Sequence, residues 1–211
     1  PKLNYVKEPS CKKCGKPIGD ERGEYCYDCR EGRHSYAQGK SVWVYQGEMK
    51  QSIYRFKDGG RREYAEFYAK ESARLYGDWI KRKDIQAIIP IPIHRHKRYK
   101  RGYNQAEVYA KELGKQCGLP IDSKTLIRVV DTLPQKTLSD RERKNNLKKA
   151  LKIGVDGVQW KRVLVVDDIY TTGATCNECV KTLRNAQPKK IGIITIAKDC
   201  EKIQVKNNRK E

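Results

Sequence analysis

The stretch 162-RVLVVDDIYTTGAT-175 decides the fold of this chain. Four apolar residues, Val163 to Val166, run straight into Asp167 and Asp168, and a loop of Thr, Gly and Ala follows two residues later. A continuous apolar run of this length reads as a strand covered on both faces, the habit of a parallel sheet. Such a strand delivers its last residues to the C-terminal edge of the sheet, where open α/β folds bind ligands. Thr171, Thr172, Gly173, Ala174 and Thr175 then open a helix predicted over 174–186. Backbone N–H groups converge there, and the helix dipole adds positive potential. Gly173 lets the backbone come close, and the threonine hydroxyls add donors. These features predict a cradle for a phosphate monoester, with carboxylate acceptors beside it for vicinal hydroxyls. A ribose 5-phosphate satisfies both halves.

Two other uses of an acidic strand end do not fit. A nucleotide hydrolase needs a G-x-x-x-x-G-K-[ST] loop. Gly39-Lys40-Ser41 is the one Gly-Lys-Ser here, and His34 occupies the position of the first glycine. A receiver domain carries its acidic pair near the start, whereas this pair lies about four-fifths of the way along.

Outward from this stretch, strands and helices alternate. The pattern predicts a strand at 41–45, a helix near 47–57 ending at Gly59-Gly60, and an amphipathic helix over 61–80. QAIIPIPI (86–93) reads as a buried strand that leaves the sheet at Pro92. A basic loop over 94–105 follows, then a helix to about Cys117 and a strand at 125–130. Residues 131–146 form a long polar segment, and KIGIITIAK (190–198) reads as a last strand. Strands alternating with helices predict an α/β fold with a parallel sheet.

Residues 1–31 are rich in Cys, Gly and Lys and lack long apolar periodicity. Cys11-x2-Cys14 is followed, after eleven residues, by Cys26-x2-Cys29. Each knuckle turns two thiolates inward, and two knuckles complete a tetrahedral four-thiolate zinc site. Gly15 and Gly19 allow the tight turns. A closed site of this kind is structural and folds a segment too short to hold itself. Cys176-x2-Cys179 repeats the spacing inside a predicted helix, where the two residues read as small apolar groups facing the sheet, as do Cys117 and Cys200. The expected division is a four-cysteine zinc-binding module at 1–35, an α/β domain at 36–200 and a polar tail at 201–211.

Lys and Arg number 46 against 26 Asp and Glu, a formal net charge of +20 over 211 residues. That excess points to polyanionic partners. No apolar run approaches the roughly 18 residues of a membrane span. The polar N-terminus lacks the apolar segment of a signal peptide, so a cytoplasmic, reducing location is the default expectation.

The acidic pair followed by T-T-G-x-T resembles the signature of type I phosphoribosyltransferases, which bind phosphoribosyl pyrophosphate. IPIPIHRHKRYKRGYNQAE (89–107), Gln135 with LSDRERKNNL (138–147), and the paired N-terminal knuckles are similar to the ComF family of competence proteins. The likeness spans almost the whole chain. One departure is Leu151, where an aromatic residue is usual. The resemblance implies a parallel sheet of the type I phosphoribosyltransferase kind behind a small zinc module. It implies that Asp167 and Asp168 accept from the ribose hydroxyls and that Thr171 to Thr175 hold the 5-phosphate. Ile93, His94 and Arg95 would form the pyrophosphate loop, with Arg98, Arg101, Asn104 and Gln105 close by. Arg141, Arg143 and Asn146 match the segment that closes over the ligand in this fold. Magnesium would bridge ligand oxygens, with few direct protein ligands. His94 and His96 read as phosphate contacts or solvated residues before general bases.

Two functions of different classes follow. One is transfer of a phosphoribosyl group to a nucleobase or other amine; no acceptor site is identifiable, so turnover stays open. The other is a ligand-binding scaffold that handles incoming single-stranded DNA during natural transformation, alongside a DNA helicase of the uptake machinery. Charge and resemblance favour the second. Arg95, Lys97, Arg98, Lys100 and Arg101 would supply part of the DNA footprint, with Tyr99 and Tyr103 available to stack on bases.

Overall fold

A computed structural model of the chain describes residues 3–18, 23–130, 150–155 and 159–200. Gly19, the 131–146 segment and the tail from 201 lie outside the described residues. Four parallel strands form the main sheet, in the order β1 (Gln38–Val44), β6 (Lys190–Lys198), β5 (Arg162–Tyr170), β2 (Ala87–Pro90). β6 and β5 are central, and seven of nine residues in β5 and eight of nine in β6 are buried. This is why both read as near-continuous apolar runs.

The strand alternation sorts the core into two layers. Leu164 and Val166 face α2 (Gly47–Asp58), α3 (Tyr64–Arg82) and α5 (Gln105–Cys117), packing on Ile53, Phe56, Tyr68 and Leu113. Val163 and Val165 face the other way, onto Cys179, Val180 and Leu183 of α6 (Ala174–Arg184). Cys176 and Cys179 are thus core residues of α6, as the sequence suggests. Leu126 of β3 (Leu126–Arg128) and Leu151 of β4 (Leu151–Ile153) join this second layer, the two short strands pairing antiparallel. β4 carries no signal in the sequence, since three residues are too few for a period.

The N-terminal cysteines belong to the second layer as well, in one cluster with Tyr36, Val165 and Ile193. Residues 4–6 run antiparallel along the free edge of β1: Val6 N donates to Val42 O at 2.9 Å and Val44 N to Asn4 O at 2.8 Å. An otherwise open edge strand is thereby covered.

The stretch expected to be a basic loop is instead a helix, α4 (Arg95–Arg101), followed by a turn at Gly102. His94 caps it, its Nδ1 accepting from His96 N at 3.3 Å, and Arg98, Lys100 and Arg101 sit in the last turn, where the helix dipole favours cations. Charge density hid a helix whose local signals are all terminal.

Candidate functional site

The segment expected to cradle a phosphate is built by one turn. β5 does not stop at Asp168 but continues through Tyr170, so the acidic pair lies within the strand. Thr171 and Thr172 are exposed, and Gly173 caps α6 with φ +75. An L side chain resists that φ, and a Cβ here would fall on the Tyr170 hydroxyl. Ala174 N donates to Thr172 Oγ1 at 3.3 Å, which orders the loop against the helix start. The described structure thus brings Thr171–Thr175 onto the N-terminus of an eleven-residue helix.

The two carboxylates leave the strand on opposite faces, because side chains alternate along it. Asp168 points into the layer of α2 and meets Lys57 Nζ at 2.9 Å, while its Oδ1 accepts from Ile169 N at 2.7 Å. Asp167 accepts from Asp168 N at 2.9 Å and lies towards α6, where its charge acts on Cys176 and Cys179. Environment separates their proton affinities. Burial, then the neighbouring Asp168 carboxylate, push Asp167 up to about 8. Burial acts on Asp168 too, but Lys57 overrides it and holds that carboxyl below its ordinary value. The environment therefore favours a proton on Asp167 and the negative charge on Asp168, beside Lys57.

Lys57 is the residue that motif reading passed over. It falls four positions after Ile53 on the stripe that also carries Met49 and Phe56, all buried. A lysine on the buried face of an amphipathic helix signals a partner, since its ammonium cannot stay unpaired there.

Ile93, His94 and Arg95 lie where β2 gives way to α4, and His94 is buried. Asn104 pins this turn from the next helix: its Nδ2 donates to Ile91 O at 3.1 Å while its Oδ1 caps α5 through Ala106 N at 3.1 Å. Gln105 accepts from Arg101 and also reaches towards Asp168, tying the turn to the acidic pair. Arg98 is held by Glu107 at 3.2 Å and Arg101 by Asp58 at 3.1 Å. The two tyrosines differ: Tyr99 is 92% exposed, whereas Tyr103 is buried and donates its hydroxyl to Phe56 O. Tyr103 is a core residue and not a stacking surface. Arg141, Arg143 and Asn146 lie outside the described residues.

Ligand atoms of Cys11, Cys14, Cys26 and Cys29 all lie within 4.8 Å of one another. Cys14 and Cys26 Sγ are 3.7 Å apart, close to the edge of about 3.8 Å that a tetrahedron of Zn–S bonds of about 2.3 Å requires. The first knuckle is drawn by Gly15 N donating to Cys11 O at 2.8 Å. The second is drawn by the one-turn helix α1 (Tyr27–Arg30), which starts straight after Cys26. The donor set and its spacing fit structural zinc. No other group of three potential ligands occurs among the described residues, and no helix among them is long and apolar enough to cross a membrane.

The Phosphoribosyl transferase domain family matches residues 99–210, and the chain belongs to that family. More narrowly, it is a ComF-family protein. It is 28% identical to Competence protein F of Haemophilus influenzae over 199 residues, 90% of this chain and 85% of that one. It is 29% identical to DNA utilization protein YhgH of Salmonella typhi over 178 residues, 82% and 77% of the two chains. With Competence protein ComFC of Bacillus subtilis the figure is 25% over 193 residues, 86% and 74%. Among solved structures, the purine phosphoribosyltransferase of Pyrococcus horikoshii aligns with TM-score 0.40 at 12% identity, over 64% of this chain and 85% of that one.

Proposed function

We propose that this chain binds phosphoribosyl pyrophosphate with magnesium at the 167–175 turn and acts in the uptake of single-stranded DNA during natural transformation. The observation that carries the first half is Gly173, locked over Tyr170 at the head of α6 beside the Asp167–Asp168 pair. The names of the relatives, competence and DNA utilization, support the second half.

In this reading Thr171, Thr172, Gly173, Ala174 and Thr175 surround the 5-phosphate through backbone N–H groups and hydroxyls. Asp168 and Asp167 accept from the ribose hydroxyls, Asp168 sharing itself between the sugar and Lys57. Ile93, His94 and Arg95 take the pyrophosphate, and Arg141, Arg143 and Asn146 close over it. Carboxylate oxygens suit a hard cation, and bound magnesium would supply charge neutralisation along the pyrophosphate. Zinc held by Cys11, Cys14, Cys26 and Cys29 is structural. A cytoplasmic place and a helicase of the uptake machinery as partner complete the proposal.

Phosphoribosyl transfer is the second reading. Its acceptor would have to meet the ribose at the C-terminal edge of the sheet. The cavity that the zinc module forms lies at the other edge, lined by Gln38 and Lys190 where β1 and β6 begin. That placement favours binding over transfer.

Isothermal titration with phosphoribosyl pyrophosphate, with and without magnesium, tests the assignment. Asp168→Asn should lower affinity roughly 10- to 150-fold, the worth of a charge-assisted hydrogen bond of about 1.5–3 kcal/mol. Thr172→Ile should be worse, because bulk enters the cradle. Equal affinity in all three proteins places the ligand elsewhere. Pyrophosphate release with a panel of bases would favour transfer.

A further inference from the structure

At the opposite edge of the sheet from the phosphate turn, the zinc module and the strand starts enclose a cavity of about 840 Å³. That lies within the roughly 300–1,000 Å³ of small-ligand sites. Lys190 marks the edge: its β5 partner Arg162 is six residues before Asp168, a separation of roughly 20 Å along the strand. The cavity is therefore a place apart from the phosphoribosyl site.

Its floor is aromatic and its rim is cationic. Trp79 is held there by its Nε1, which donates to Gln38 Oε1 at 2.7 Å. Gly192 lies beneath the indole, and a Cβ there would come within 3.2 Å of Trp79 Cη2. Tyr25 stands on the wall with 43% of its surface exposed. Lys13, Arg30, Lys83 and Lys190 line the opening, and none of the four has a carboxylate within ion-pairing distance among the described residues. Lys12 alone is neutralised, by Glu24. No acidic side chain among the described residues lines the cavity. On α4, by contrast, Arg98 and Arg101 already have carboxylate partners.

Four cations gathered with no counter-charge among the described residues repel one another and favour an anion between them. A small inorganic anion would use the cations and leave the exposed Tyr25 ring without a role. A duplex hides its base faces. A nucleotide with an open base uses both, the phosphate against the cations and the base on the ring.

We propose that this cavity is a nucleotide-binding site, with phosphate held by Arg30, Lys83 and Lys190 and the base stacked on Tyr25 over the Trp79 edge. Single-stranded nucleic acid supplies that nucleotide. The site rests on its own geometry, and only the choice of a strand over a free nucleotide rests on the DNA-handling reading above.

Fluorescence anisotropy of the full chain with labelled oligo-dT at several salt concentrations tests it, beside competition by free dTMP and by phosphoribosyl pyrophosphate. Lys83→Glu with Lys190→Glu should weaken the oligonucleotide at least tenfold. The slope of log K against log salt should flatten by about 0.7, the share of the one phosphate these lysines hold. Tyr25→Ala should weaken it roughly 5- to 150-fold, the range for one stacked base. Phosphoribosyl pyrophosphate should not displace the strand, and Lys50→Glu with Arg55→Glu, two exposed residues of α2, should leave it bound. Zinc content and thermal midpoint confirm that each variant is folded. If free dTMP binds, is lost in the same variants, and oligo-dT does not bind, the site stands and the DNA-handling reading falls. If oligo-dT binds the cavity variants as tightly as the wild type, the cavity proposal is overturned and DNA handling stands. If neither probe binds at low salt, both fall.

Discussion

The hydroxyls of Tyr36 and Tyr170 lie 2.7 Å apart in the core and join the four-cysteine module to the turn at Thr171–Thr175. Tyr170 is the last residue of β5 and sits under Gly173; Tyr36 leads out of the cysteine module. His34 Nε2 lies 3.4 Å from the Tyr170 hydroxyl and extends the chain of contacts. Asn177 of α6 closes it, with Oδ1 accepting from Ser35 N at 2.6 Å and Nδ2 donating to Arg33 O at 3.0 Å. Tyr36→Phe should cost about 0.5–1.5 kcal/mol in urea unfolding, the net worth of one hydrogen bond. It should also weaken phosphoribosyl pyrophosphate in a titration, because the Tyr170 ring is no longer fixed beneath the turn.

Replacing Cys26 and Cys29 together by Ser should remove one zinc per chain, read by elemental analysis of protein purified without added metal. The loss should spread beyond the module. Lys198 is only 1% exposed, with Nζ donating to Cys14 O and lying 3.9 Å from the Tyr170 ring centroid. Without the knuckle that ammonium loses its acceptor in the core, so hydrogen exchange should rise at the end of β6 and at the phosphate turn. Unchanged zinc in the double variant would refute the assignment.

Gly173→Ala should be more damaging than its size suggests. The φ of +75 costs an L residue about 1–2 kcal/mol, and the new methyl meets the Tyr170 ring. Affinity for phosphoribosyl pyrophosphate should fall at least tenfold, the thermal midpoint should drop, and oligo-dT affinity at the cavity should persist.

Lys57→Met leaves Asp168 buried beside no cation. Breaking a buried pair from one side costs about 3–5 kcal/mol, and Lys57→Met with Asp168→Asn should recover much of it. Denaturant unfolding of the two singles and the double gives the coupling directly. In the wild type, Asp168 has a depressed folded pKa. Its contribution to stability is present above the unfolded value of about 4 and is lost as pH falls through the folded one.

Asp167 behaves oppositely. Its carboxyl, pushed up to about 8, contributes stability that is full below about 4 and is lost as pH rises through the folded value. Accepting from a ribose hydroxyl favours the ionised form. With a pKa of about 8, the ionised fraction, and so ligand affinity, should rise about tenfold from pH 7 to pH 9. Asp167→Asn should abolish that rise, measured by titration in buffers across the range.

The sequence by itself determined the strand that starts at Arg162, the Thr-Gly turn that opens α6, and the clustering of the four cysteines. Each is a local pattern complete within a short stretch of chain, the longest running from Cys11 to Cys29: an apolar run, a Gly between hydroxyls, paired knuckles. It also placed α2, α3, α5 and β6 to within a few residues, because periodicity over ten or more positions averages out local exceptions. It misjudged α4, where seven residues with five Lys or Arg give no apolar stripe and the fold alone imposes the helix. Tertiary structure decided the rest. The two aspartates lie on opposite faces because the strand runs on to Tyr170, and only packing of α2 puts Lys57 beside one of them. Tyr36 meets Tyr170 across 134 residues of sequence, and Lys83 joins Lys190 and Arg30 at one opening. No local pattern records such pairings, since they are fixed by which faces bury together and not by which residues are neighbours in the chain.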